Sequence, residues 1–364
     1  MNFQDVEYLQ WFKNNHPKIE YDLASSSAPH VTQKELNILL DNLDLGNAPS
    51  SGNQRLIELI SEVYSAEKDD ILITSGSTHA NYLICALLIS EKDEVIVEKP
   101  VYTPLLDTVL LMGAKVKFLY RKFEENYNLN LERLAEMISK NTKLIVLTNL
   151  NNPTGNMIDA QTLKSLCEIA EDNKIHVLSD EVYRDFIFSE YVPTFSSLTH
   201  YGITTCSLSK FYGAGALRVG WALCEPELVK RARKFNDYIV VHNSCAGEQY
   251  GAMVLEKRDW FVERNRKIVS TNLPIVDSWI EKRDDLEWVK PKYGIIGFPR
   301  LLGNVNSNEL AGYLLHNFRT MLVPGWFFGD ENHIRIAFGG NKENLKKGIE
   351  NVNLALDKLD QNRK

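Results

Sequence analysis

Between residues 70 and 225, short runs rich in β-branched residues alternate with segments of helical periodicity, and this alternation limits the fold more than any other feature of the chain. Parallel strands need a long crossover, usually a helix, so the pattern predicts a mostly parallel sheet covered by helices. Seven runs read as strands: ILIT from Ile71, EVIVE from Glu94, KVKFLY from Lys115, KLIVLT from Lys143, IHVLSD from Ile175, TTCSLS from Thr204 and VGWALC from Val219. Between the fourth and fifth, Leu163, Leu166, Cys167 and Ala170 recur at i, i+3, i+4 and i+7, one apolar face of a helix. The expected class is α/β.

The flanks read differently. Thr32 with Glu35 forms a capping box that predicts a helix over residues 32–43, and residues 260–281 have helical spacing with many charges. DLEWV, GIIGFPRL and HIRIAF read as strands of a second sheet, closed by a polar helix over 343–359. A chain of 364 residues exceeds one ordinary domain. With no Pro/Gly/Ser-rich linker, any boundary falls within a helix. The expectation is a large domain over 45–265 and a smaller α+β domain built from 1–44 and 266–364.

Hydrophobic residues make up 44% and charged residues 24% of the chain, the balance of a globular protein able to bury a sizeable core. The net charge of −7 is modest and the cations are scattered, which argues against nucleic-acid and membrane partners. Cys85, Cys167, Cys206, Cys224 and Cys245 are widely spaced without a C-x-x-C pair, so neither zinc nor a redox dithiol is expected, and no metal site. The opening MNFQDVEYLQ carries acids where a signal peptide carries bases, and no apolar run nears the ~18 to 20 residues of a membrane span. A cytoplasmic protein is expected.

The chemistry concentrates in SLSKFYGAGALRVGW, residues 207–221, which begins at a strand end, where open α/β sheets gather ligands. Taken alone, Lys210 could be a solvated surface charge. Gly213, Gly215 and Gly220 do not have G-x-G-x-x-G spacing, so a dinucleotide loop is excluded. Three further segments end at the same sheet edge: NNPTG at 151–155, SDEVY at 179–183 and GSTHA at 76–80. The last joins a strand to a helix start, where backbone N–H groups, Ser77 and Thr78 suit a phosphate.

Together these motifs resemble the fold-type I, pyridoxal-phosphate-dependent aminotransferases of classes I and II, in the family order from about residue 20 to the end. The resemblance implies that Lys210 of S-x-S-K forms the Schiff base with the cofactor. It implies that Arg218, Ser207 and Ser209 bind the phosphate. It implies further that Asp180 pairs with the pyridinium nitrogen, that Tyr183 and Asn152 bond the ring oxygen, that Tyr102 in KPVY stacks on the ring, and that Arg335, with Asn152, binds the substrate, clamping its α-carboxylate. The expected reaction moves an amino group from an amino acid to a 2-oxo acid, with Lys210, Asp180 and Tyr183 as catalytic residues, in a homodimer with shared active sites.

Two departures qualify the match. Asn47 and Ile57 stand where many relatives carry a tyrosine and an arginine. The serine-rich YDLASSSAPH, residues 21–30, replaces the usual Gly-rich carboxylate loop and resembles capreomycidine-synthase-like members, which cyclise a hydroxylated arginine. Elimination, replacement or cyclisation at Cβ is therefore the alternative reaction, since it shares the cofactor site. A ligand-sensing regulator would need a DNA-binding domain, and only about 40 residues precede the cofactor domain. Around the site, His79 is open to a ring contact or a structural helix-start bond, and His176 reads as a core histidine. His242 and Asn243 could approach the partner's site, and Trp326, Phe327 and Phe328 read mainly as core packing.

Overall fold

The computed structural model describes residues 4–38, 43–46 and 49–361. After a two-residue strand β1 (Tyr21–Asp22) come the seven strands of the main sheet: β2 (Ile71–Thr74), β3 (Glu94–Lys99), β4 (Lys115–Tyr120), β5 (Thr142–Thr148), β6 (His176–Asp180), β7 (Gly202–Ser207) and β8 (Gly220–Leu223). Their order is β2-β8-β7-β6-β5-β3-β4. All pairings are parallel except those of β8, which runs antiparallel to both β2 and β7. Each strand corresponds to one of the seven sequence runs. Every residue of β2, β7 and β8 is buried, as expected of a sheet covered on both faces.

Local signals explain the helices. Asp159 caps the helix Ala160–Asn173 by accepting from the amides of Gln161 and Thr162, and the residues it buries are Leu163, Leu166, Cys167 and Ala170. The capping box of Thr32 and Glu35 is present, but its helix covers only Gln33–Leu36. Asn37 turns left-handed at φ 50° and its N–H closes on Gln33 and Lys34, so the longer helix expected here stops early. Residues 39–42 of that expectation, and Asn47, lie outside the described residues.

The C-terminal part departs from one second sheet. Here β9 (Leu286–Glu287), β10 (Ile296–Gly297), β11 (Arg300–Leu301), β12 (Thr320–Met321), β13 (Val323–Pro324) and β14 (Ile334–Ala337) form three small sheets, β10-β14-β13, β9-β11 and β1-β12. Pro299 splits the run read as GIIGFPRL, because proline has no N–H to continue a ladder. The helix Arg258–Glu281 joins two cores. Phe261 and Val269 pack with Trp221 and Leu208, whereas Val276, Trp279 and Ile280 pack with Leu345, Ile349 and Val352 of the helix Lys342–Gln361. Among the described residues no helix is long and apolar enough to cross a membrane.

This topology builds one edge. The C-terminal ends of β2, β3, β5, β6 and β7 meet there, and the reversed β8 begins there, which brings Arg218 to the same crevice.

Candidate active site

The anion end begins where β2 leaves the sheet. Thr74 donates to the Gly76 carbonyl at 3.0 Å, and Gly76, at φ 92°, leads into the helix Ser77–Leu88, whose first turn no side chain caps. A Cβ on Gly76 would lie 2.5 Å from Arg218 Nη2, so only glycine lets the guanidinium lie on the turn. Arg218 donates from Nη2 to the Ser75 carbonyl at 2.9 Å and from Nη1 to the Gly215 carbonyl at 3.0 Å. Uncapped amides, the positive helix end, a guanidinium and the hydroxyls of Ser77, Thr78, Ser207 and Ser209 converge on one cavity. Asn243 braces the turn by donating to the Ile73 carbonyl at 3.0 Å and accepting from Ser75 Oγ at 3.2 Å.

Asp180 closes the opposite side as the last residue of β6, 6% exposed. Asn81, one turn into the Ser77–Leu88 helix, donates to its Oδ2 at 2.8 Å and is itself fixed by Thr205 Oγ1 at 2.7 Å. Burial pushes the Asp180 carboxyl up to about 6, while the Asn81 and Val182 hydrogen bonds and the Lys210 charge pull the other way. It remains mostly ionised at neutral pH.

Lys210 enters the cavity just beyond β7. Its Nζ donates to Ser26 Oγ at 3.3 Å, and its carbonyl accepts from the Ala28 amide at 2.8 Å. Tyr183 donates to the Ser26 carbonyl at 3.0 Å, so the serine-rich N-terminal segment rests on both residues. Burial first, then the charge of Arg335, pushes the Lys210 ammonium down to about 8, with Asp180 opposing. At pH 7 a tenth or so of Lys210 is then neutral, roughly two orders of magnitude more than for an unperturbed lysine. The rate at which cofactor-free protein captures pyridoxal phosphate should therefore rise about tenfold from pH 7 to a plateau above pH 9. A rate that keeps climbing to pH 10 in stopped-flow traces would contradict the depressed amine.

Asn152 follows β5, its amide held by Thr148 Oγ1 at 3.1 Å and its Oδ1 accepting from Arg335 Nη1 at 3.0 Å. Arg335 lies on β14, fully buried. Its Nη2 donates to Tyr8 Oη at 2.9 Å and the Ala24 carbonyl at 2.8 Å, and the Phe328 and Tyr8 rings lie 5.2 and 5.5 Å away. Among the described residues no carboxylate pairs with it, and its Nε has no hydrogen-bond partner. A buried guanidinium with neutral partners alone is costly, and an incoming carboxylate would relieve that cost.

All ten residues read as cofactor ligands line one cavity of about 130 Å³: Ser77, Thr78, Tyr102, Asn152, Asp180, Tyr183, Ser207, Ser209, Lys210 and Arg218. Arg335 abuts it through Asn152. His79 uses Nδ1 to accept from the Ser75 amide at 3.1 Å, the structural helix-start bond. His176 is half-buried and packs edge-on against Tyr201, so it is less enclosed than a core histidine. His242 lines a separate cavity of about 340 Å³ beside Glu248. Ile57 is a core residue, and Trp326, Phe327 and Phe328 pack around Tyr8 and Phe298, with Phe328 also against Arg335. Sequence reasoning missed Ser26, Asn81, Thr148 and Tyr8. Asn81 had a usable signal, since it lies one helical turn from Ser77 and Thr78.

The residues fit pyridoxal phosphate: an anion cradle, a lysine with a lowered pKa, and a buried acid braced by an amide. Fold and site together define a pyridoxal-phosphate-dependent enzyme of fold type I. The chain matches the aminotransferase class I and II family over residues 19–352 and belongs to it. It is 27% identical to an aspartate aminotransferase of Pyrococcus horikoshii, across 85% of this chain and 82% of that one. It is 25% identical to the capreomycidine synthase of Streptomyces vinaceus, across 93% and 90%. The crystal structure of a PLP-dependent aminotransferase from Streptococcus suis superposes with a TM-score of 0.92 at 28% identity, covering 98% of this chain and 99% of that one. The protein is thus a pyridoxal-phosphate-dependent aminotransferase that moves an amino group from an amino acid to a 2-oxo acid.

Proposed function

We propose that transamination runs at the cavity around Lys210, with the substrate α-carboxylate held by Arg335 and Asn152. The observation that carries this reading is the fully buried Arg335, whose hydrogen-bond partners among the described residues are all neutral and which abuts the lysine cavity. Pyridoxal phosphate supplies the electron sink for the bond broken at the substrate Cα. Arg218, Ser77, Thr78, Ser207 and Ser209 would hold its phosphate and Tyr102 its ring. Asp180, held in place by Asn81, would keep the ring nitrogen protonated, and Tyr183 and Asn152 would hold the ring oxygen. Lys210, whose Nζ enters the cavity, would be the residue that holds the group. When not holding the group, its Nζ would serve as the base that takes and returns the proton at the substrate Cα. Arg335 can grip a carboxylate in a fork, which fixes the bond to be broken relative to the ring.

Arg335→Ala should raise KM for the amino acid and the 2-oxo acid alike, by roughly 30-fold or more, because each then leaves a buried charge unpaired. The absorbance of bound cofactor should persist. Loss of cofactor binding instead would assign this arginine to another role.

The wider reading keeps a large domain over 45–265 and a smaller one from 1–44 and 266–364, with the Arg258–Glu281 helix spanning the boundary. It also makes the enzyme a homodimer, supported by the run of exposed apolar residues Tyr238, Ile239, Val240 and Val241. Sedimentation velocity tests that state. A reducing cytoplasmic setting accords with the buried free thiols of Cys85, Cys167, Cys206 and Cys224.

A further inference from the structure

A second cavity, of about 490 Å³, adjoins the first and shares Tyr102 and Lys210 with it. That volume lies within the roughly 300–1,000 Å³ of small-molecule sites. Ala337 lines it, two residues beyond Arg335 on β14 and so on the same face of that strand. A substrate whose carboxylate faces Arg335 and whose Cα faces Lys210 therefore has this space open to its side chain.

The polar wall is built around Asp22. Its Oδ1 accepts from the amides of Ala24 and Ser25, both at 2.8 Å, and its Oδ2 lies 3.0 Å from His16 Nε2. Ser25 Oγ reaches the same Nε2 at 3.2 Å, so hydroxyl and carboxylate share one ring nitrogen and no Ser-His-Asp relay is formed. Burial raises the Asp22 carboxyl, but the bonds from Ser25, Ala24 and His16 outweigh it and hold the group below the usual range. The carboxylate stays charged. Among the described residues the lining includes no arginine and no lysine besides Lys210, and its remaining titratable nitrogens are those of His16 and His30. A distal carboxylate entering here would meet the fixed negative charge of Asp22.

We infer that this cavity receives the donor's side chain and that Asp22 selects a side chain ending in a nitrogen donor (ammonium, guanidinium or carboxamide) against one ending in a carboxylate. The inference rests on the transamination reading and narrows it, away from the dicarboxylic donor in the name of the Pyrococcus relative.

Holoenzyme should be assayed with ornithine, lysine, arginine and glutamine against aspartate and glutamate, reading both turnover and equilibrium binding from the bound cofactor's absorbance. At least one nitrogen-donor amino acid should exceed both dicarboxylates by tenfold or more in kcat/KM and in affinity. Asp22→Asn keeps an acceptor for the Ala24 and Ser25 amides and should reduce that preference about tenfold. Aspartate or glutamate as the preferred donor, or a preference unmoved by Asp22→Asn and Asp22→Ala, would overturn the assignment of Asp22. Ranked binding with no amino transfer from any donor would support the pocket and overturn transamination instead.

Discussion

Lys210→Ala is expected to lower turnover by roughly 10⁴-fold or more, the largest effect of any single substitution in the chain. On the proposed assignment it removes both the amine that would hold the cofactor and the base at the substrate Cα, and a positioned base alone contributes about 10² to 10⁴-fold. The same residue should carry the label when borohydride fixes the cofactor to the wild-type protein and the peptides are mapped. Lys99 lies over the Phe118 ring at 4.6 Å, and Lys230 sits exposed beside Glu227 at 3.9 Å. A pyridoxyl group on either would remove Lys210 from its role and dissolve the alignment built on it.

The second large effect is expected at Asp180. Asp180→Asn preserves size and a partner for Asn81, yet removes the charge that, on the proposed assignment, would keep the ring nitrogen protonated. Preorganised electrostatic groups at developing charge are worth about 10² to 10³-fold each, and turnover should fall by at least that. Asn81→Ala leaves the charge and frees its orientation, so it should cost less, about tenfold, with a shift in the pH profile as the carboxyl loses a hydrogen bond that holds its pKa down. Near-normal turnover in Asp180→Asn would contradict the role of the buried acid, whereas equal losses in both variants would point to structural damage.

Much of this was legible in the sequence because the signals were local. Each strand of the main sheet is a β-rich run long enough to register, and the helix Ala160–Asn173 buries the four residues its spacing marks. The residues proposed to bind the cofactor lie at or near strand ends, where a motif and its position coincide. The N-terminal contribution was not legible. Ser26 and Tyr8 reach the site only because the chain folds back over β14 and Lys210, a tertiary contact that no spacing encodes. The small sheets escaped for a different reason, since two-residue strands carry no periodicity and Pro299 interrupts the run that suggested a longer one. The early stop at Asn37 had a visible cause, because asparagine is among the few residues that adopt a left-handed cap readily.

Transamination itself is tested most directly by supplying a reactive amino donor without any 2-oxo acid. A transaminase releases its oxo acid and keeps the amine, so bound pyridoxal phosphate should convert to pyridoxamine phosphate once per site and then stop, with one equivalent of oxo acid formed. Adding a 2-oxo acid should restore the starting absorbance. An enzyme acting at Cβ regenerates its cofactor in every cycle. Sustained turnover of a β-substituted or hydroxylated amino acid with no acceptor present, and with no pyridoxamine phosphate detected, would contradict amino transfer while leaving the cofactor site as described.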